Sequence, residues 1–137
     1  MEDYSRTILV IEDEDFISGM VARSLKDEGY HVIITSDLKS SLIVLDTEKI
    51  NLVISDVMLP FSGGLDILDY VKDHKTISET PVILVTGMDK DVLKASTVRA
   101  NAILTKPFEM NALIDLVNAL LEVEETESAA EQKSVAL

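Results

Sequence analysis

Asn51–Ser55 reads NLVIS and is followed at once by Asp56. The run is rich in β-branched residues and does not alternate with polar ones, which is how a strand reads when both faces of its sheet are covered. Four more runs of this kind lie on either side of it. They are Thr7–Ile11 (TILVI), His31–Thr35 (HVIIT), Pro81–Thr86 (PVILVT) and Ala102–Thr105 (AILT). The segments between them carry helical spacing. Phe16, Met20 and Leu25 fall roughly on one side of a first helix, which Gly29 would end. Leu38, Leu42 and Leu45 mark a second, and Leu65, Leu68 and Val71 a third. Val92, Ala95 and Val98 give a thin stripe to a fourth, about 89–100, and Leu113, Leu116, Val117 and Leu120 a clear one to a fifth. Strand and helix alternating five times predict an α/β fold with a parallel sheet covered on both faces. Right-handed crossovers make the doubly wound, flavodoxin-like order 2-1-3-4-5 the natural topology.

The 137 residues are one domain's worth, long enough to bury a core without metal or disulfide staples. No cysteine is present, so thiolate zinc sites, iron–sulfur clusters and Cys nucleophiles are excluded. The two histidines, His31 and His74, lie far apart and have no motif around them. The formal charge of −13 describes a surface that repels nucleic acid and anionic membranes, and the expected partners therefore include neither. The N-terminus lacks a basic region followed by an apolar run, and no stretch approaches the ~20 apolar residues of a spanning helix, so the expected location is cytoplasmic. The expected domain covers 1–121. Residues 122–137, with five Glu and one Lys, read as an acidic extension of the last helix or a solvated tail.

In a doubly wound sheet, functional groups gather at the carboxyl ends of the strands. Glu12, Asp13, Glu14 and Asp15 follow the first strand and Asp56 the third. Thr86 ends the fourth, and Lys106-Pro107 follows the fifth. One cleft would hold carboxylates, a hydroxyl and an ammonium. Carboxylates that close call for compensation, and Mg²⁺, which favours oxygen ligands, is the natural cation. A carboxylate can also attack a phosphoryl group, whose charge a metal ion, a lysine and a hydroxyl would stabilise.

ILVIEDED (8–15), LVISDVMLP (52–60), PVILVTG (81–87) and LTKPF (104–108) together resemble the receiver domain of a two-component response regulator, of the stand-alone, chemotaxis-regulator-like kind. The resemblance covers roughly Arg6 to Leu121. It implies that Asp56 is the phosphoacceptor and that Glu12, Asp13, Asp56 and the backbone carbonyl of Met58 hold Mg²⁺. It implies that Thr86 contacts the phosphoryl group and that Lys106 pairs with it. Lys106 would be joined to Pro107 by a cis peptide, and Gly64 would close the loop after the acceptor. The donor would be a histidine kinase or phosphotransfer protein. The output would be phosphorylation-dependent contact with a downstream protein, by a monomer or weak dimer. The chain would be no enzyme beyond its own phosphorylation and slow dephosphorylation. It departs from the family pattern in three places. Glu12-Asp13 stands for the frequent Asp-Asp, Arg99 for a small glycine, and Ile103 for the usual Tyr or Phe.

Plainer readings exist for each residue. Asp56 could cap a turn, the acid run could be a solvated helix start, Thr86 could be only a strand former, and Lys106 a surface lysine. An alternative to the phosphorylated receiver is a pseudo-receiver, an interaction module of the same fold that works without phosphorylation. A haloacid-dehalogenase-type phosphohydrolase would need a second Asp where Met58 stands, so its general acid is missing. A flavodoxin-type FMN site would need a Ser/Thr/Gly-rich loop where Glu12–Asp15 stands.

Overall fold

A computed structural model describes residues 6–59, 62–87 and 99–122. Five strands, β1 (Thr7–Ile11), β2 (His31–Thr35), β3 (Leu52–Asp56), β6 (Val82–Thr86) and β7 (Ala102–Thr105), form one parallel sheet in the order β2-β1-β3-β6-β7. This is the expected 2-1-3-4-5 arrangement. A short antiparallel pair, β4 (Met58–Leu59) and β5 (Ser62–Gly63), follows β3 and was not foreseen. Helices α1 (Asp15–Asp27), α2 (Leu38–Thr47), α3 (Gly64–Asp73) and α4 (110–122) make four among the described residues. The fourth helix expected from sequence falls mainly on residues outside the described set.

The period-2 geometry of the strands divides the core in two. Ile8, Val10, Leu52, Ile54, Ile83 and Val85 face α1 and α4, where Val21, Leu25, Leu113 and Val117 cover them. Leu9, Ile11, Val53, Val82 and Leu84 face α2 and α3, where Leu45, Ile67, Leu68 and Val71 do so. Runs without polar alternation were the correct sign of a sheet covered twice.

The first helix corrects one expectation. Leu25 is fully buried, but Phe16 is 79% exposed and Met20 47%. Leu25 lies nine residues after Phe16, about two and a half helical turns, and so faces the opposite side. The buried stripe is instead Ser18, Val21, Ala22 and Leu25. Gly29 ends α1 as expected. It sits at φ 96°, a conformation that L side chains resist. Its N–H donates to the Lys26 carbonyl, and the Tyr30 N–H donates to that of Leu25, which closes the last turn.

Two asparagines pin the amino ends of neighbouring strands. Asn51 Oδ1 accepts from the Thr7 N–H at 2.8 Å, while its own N–H donates to the Thr7 carbonyl. Asn101 repeats the pattern with Val82, accepting at 2.9 Å. Its Oδ1 also accepts from Lys72 Nζ at 3.0 Å, which ties α3 to the start of β7. Arg99, noted as a departure, pairs with Asp73 at 2.7 Å on the same helix. With both ends of each pair bonded reciprocally, register is fixed at the edge away from the candidate site.

Candidate functional site

Glu12 stands just past β1, Asp56 closes β3, Thr86 closes β6 and Lys106 stands just past β7. Because the strands are parallel, all four reach the same edge of the sheet. Their order along that edge follows the strand order, so β1, β3, β6 and β7 deliver carboxylate, carboxylate, hydroxyl and ammonium in turn. The β3–β6 register pairs Asp56 with Val85, one residue before Thr86. Thr86 is fully buried and pairs with Thr105, and the ladder continues with the Lys106 N–H donating to the Thr86 carbonyl at 2.7 Å.

The side chains converge. Lys106 Nζ lies 2.7 Å from Asp56 Oδ2 and 3.3 Å from Glu12 Oε1. Asp56 and Glu12 are almost closed off from solvent, at 7% and 5% exposure. Asp13 is exposed at the mouth. One oxygen from each of Glu12, Asp13 and Asp56 lies within 4.8 Å of the others. The peptide between Lys106 and Pro107 is cis, as the resemblance implied. On the inner side, Ile17 and Val21 of α1, with Val85 and Phe108, wall a small recess open to Glu12, Asp56 and Lys106. That apolar wall lowers the local dielectric and strengthens every charge interaction at the site.

Among the described residues, three carboxylates meet one ammonium here, which leaves the group short of positive charge. Burial, the hydrogen bond with Asp56 and the Asp56 charge push the Glu12 carboxyl from 4.5 up to about 7, against the opposing pull of Lys106. Burial works against the charged form of Lys106 too. The hydrogen bond and charge of Asp56, with those of Glu12, outweigh it and hold the ammonium above its ordinary pKa. An all-oxygen donor set that holds its own proton near neutrality fits a hard divalent cation such as Mg²⁺. Met58 follows Asp56 by two residues, and its backbone pairs with Gly63 in the short β4–β5 ladder.

The structure thus brings Glu12, Asp13, Asp56 and Lys106 into one group and sets Thr86 beside it. Ile103 stands on β7 opposite Leu84, half-buried, with no hydroxyl to offer. Sequence reasoning missed Thr35, Ser41 and Asp37, whose hydrogen bonds lead to the Glu12 backbone, and Phe108, which walls the recess. Phe108 could have been found, since it closes the LTKPF string. No sequence signal marked Thr35 and Ser41 as a pair, because only the fold brings the end of β2 onto α2.

Comparison with known proteins settles the family. The description of the response regulator receiver domain matches residues 8–118. This chain belongs to that family. It is 38% identical over 119 residues to Regulatory protein VanR of Enterococcus faecium, covering 85% of this chain and 50% of VanR. It is 30% identical to the probable transcriptional regulator ycf29 of Pyropia yezoensis, covering 95% of this chain and 60% of that one. Among solved structures, a CheY-like receiver domain protein of Methanospirillum hungatei superposes with a TM-score of 0.82 at 27% identity, covering 90% of this chain and 98% of that one. TrrA of Thermotoga maritima, solved in complex with Mg²⁺ and BeF, superposes with a TM-score of 0.76 at 25% identity, covering 84% and 98%.

The receiver chain spans between half and 60% of the length of these two curated relatives. One sequence-based expectation is thereby corrected. The charge of −13 by itself predicts that nucleic acid is no partner. Several relatives are named as transcriptional regulators, and the match reaches only part of each. Net charge governs the surface of the domain that carries it, so the acidity of a receiver says nothing about DNA at the level of a whole regulator. Among the described residues, no helix is long and apolar enough to cross a membrane.

Proposed function

We propose that this receiver accepts a phosphoryl group on Asp56 from a histidine kinase or phosphotransfer protein. The observation that supports this best is the Asp56–Lys106 contact of 2.7 Å inside a cluster of three carboxylates. A carboxylate oxygen of Asp56 attacks phosphorus. The bond from phosphorus to the donor nitrogen breaks, and its electron pair returns to the imidazole, whose other nitrogen carries a proton. With acetyl phosphate the leaving group is acetate.

Glu12, Asp13, Asp56 and the Met58 carbonyl would hold Mg²⁺, which when bound supplies positive charge against the transferred oxygens. Lys106 exchanges part of its pairing with Asp56 for a phosphoryl oxygen. Thr86, at the end of the neighbouring strand, offers its hydroxyl to another, and its movement is the signal. Because position 103 is isoleucine, the relay from Thr86 runs without a hydrogen bond at that position. Beyond this self-modification and slow loss of phosphate, the receiver turns over no external substrate. The output it serves is control of transcription, a role carried over from the names of its relatives, and its place is the cytoplasm.

The test is intact-mass spectrometry after incubation with acetyl phosphate and Mg²⁺. One added phosphoryl group is expected, absent from Asp56→Asn and from the metal-free sample. A folded wild-type chain that gains nothing from acetyl phosphate, and nothing from a phosphorylated histidine kinase, sinks the proposal in favour of a pseudo-receiver.

A further inference from the structure

We infer that the buried hydroxyl pair of Thr35 and Ser41 is a positioning device that sets Glu12 for divalent-cation binding. The inference rests on the metal reading of the Glu12–Asp13–Asp56 cluster. Asp56 closes β3, which has β1 on one side and β6 on the other, so its backbone is held from both sides. Glu12 follows β1, which is likewise flanked on both sides, by β2 and β3. It lies one residue beyond the β1–β2 ladder, and its N–H donates to the Thr35 carbonyl at 3.0 Å. Among the described residues β2 is an edge strand paired with β1, so the Glu12 N–H is bonded to the end of a strand that the sheet holds from one side.

The other side of that strand end is held by side chains. Thr35 is the buried residue of β2, whose other four positions are half-buried or exposed. Its hydroxyl lies 2.6 Å from Ser41 Oγ, and Ser41 is fully buried in α2. The Ser41 hydroxyl donates to the Asp37 carbonyl at 2.6 Å. That assigns the direction of the chain, with Thr35 donating to Ser41 and Ser41 to Asp37. Asp37 is itself fixed, since its carboxylate caps α2 by accepting from the Ser40 N–H at 2.7 Å. A continuous path therefore runs from the helix cap, through two buried hydroxyls, to the backbone of Glu12. At its end the Glu12 carboxylate stands 3.3 Å from Lys106. Partners beyond the direct ligands commonly decide how well a metal site is set.

The physical consequence is a split between two properties of one site. Loss of the hydroxyl pair releases Glu12 but leaves Asp56 and Lys106 on their own strands. Cation affinity falls, while the reactivity of Asp56 at saturating cation stays.

The experiment measures Mg²⁺ binding by calorimetry on the full chain, well below its melting temperature, for wild type, Thr35→Val, Ser41→Ala and Thr35→Ser. Thr35→Val keeps the shape and removes the donor. Thr35→Ser keeps the donor and serves as the rescue. The expected result is affinity about tenfold weaker for Thr35→Val and Ser41→Ala, the lower end for such partners, with Thr35→Ser close to wild type. Phosphorylation from acetyl phosphate at saturating Mg²⁺ is expected to run within about twofold of wild type, as Asp56 itself is not displaced. Should Thr35→Val fail to fold, Ser41→Ala carries the same test. Folded variants that melt lower yet bind Mg²⁺ as wild type does reduce the pair to a structural role and overturn the inference. A wild-type chain that binds no Mg²⁺ overturns the metal reading beneath it as well.

Discussion

Glu12 gives the folded chain a dependence on pH near neutrality. Its carboxyl, raised from 4.5 to about 7, holds a proton in the folded chain over a range where the unfolded chain has lost it. The folded state binds more protons in that window, so its stability falls as pH rises through it. Metal-free protein is therefore expected to melt higher at pH 5 than at pH 8, and Glu12→Gln to narrow the difference. Added Mg²⁺ works in the opposite direction, since it favours the ionised carboxylate. Thermal melts at the two pH values with a chelator check this, and an equal pH dependence in Glu12→Gln would count against it. At this scale the sequence was informative about which residues carry chemistry. Glu12, Asp13, Asp56, Thr86 and Lys106 could all be named from strand ends. What sequence could not supply was their degree of charge conflict, which depends on the 2.7 Å and 3.3 Å separations around Lys106.

The first helix shows how an element can be foreseen while its inward face is mistaken. Its bounds follow from an acidic start at Asp15 and the left-handed Gly29 just past its end. Its inward face does not follow from its largest side chains. Phe16 and Met20 are larger than Ser18 and Ala22, yet the small pair is buried, because it shares with Val21 and Leu25 the face of α1 turned to the sheet. A direct comparison tests the corrected face. Leu25→Ala is expected to cost about 2–5 kcal/mol, the range for emptying a buried leucine site. Phe16→Ala, at a position 79% exposed, is expected to change stability by no more than about 0.5 kcal/mol. Urea denaturation of both variants would decide, and comparable losses would mean that α1 is rotated from this placement. α3 and α4 were read correctly because their stripes, Leu68 with Val71 and Leu113 with Val117, keep helical spacing throughout.

For the whole molecule, the sheet order ranks the strands by protection. β1, β3 and β6 have a neighbour on each side and helices on both faces, whereas β2 and β7 are edges. Amide hydrogens of β3 are expected to exchange slowest and those of β2 fastest among the sheet strands. Hydrogen exchange read residue by residue checks it, and β2 amides as slow as those of β3 would contradict the edge assignment. The site uses both kinds of strand, since Asp56 and Glu12 stand at the ends of central strands while the Glu12 N–H is bonded to the end of the edge strand β2. The sequence by itself determined the alternation of strands and helices, the parallel sheet, its order, and the strand ends at which functional groups stand. It could do so because both burial on two faces and right-handed crossover leave a direct trace in residue pattern. The tertiary structure alone decided the inward face of α1, the Arg99 pairing with α3, the raised Glu12 carboxyl and the hydroxyl path from Asp37 to Glu12. Each of these depends on distances between residues remote in the chain, and local pattern carries no record of such distances.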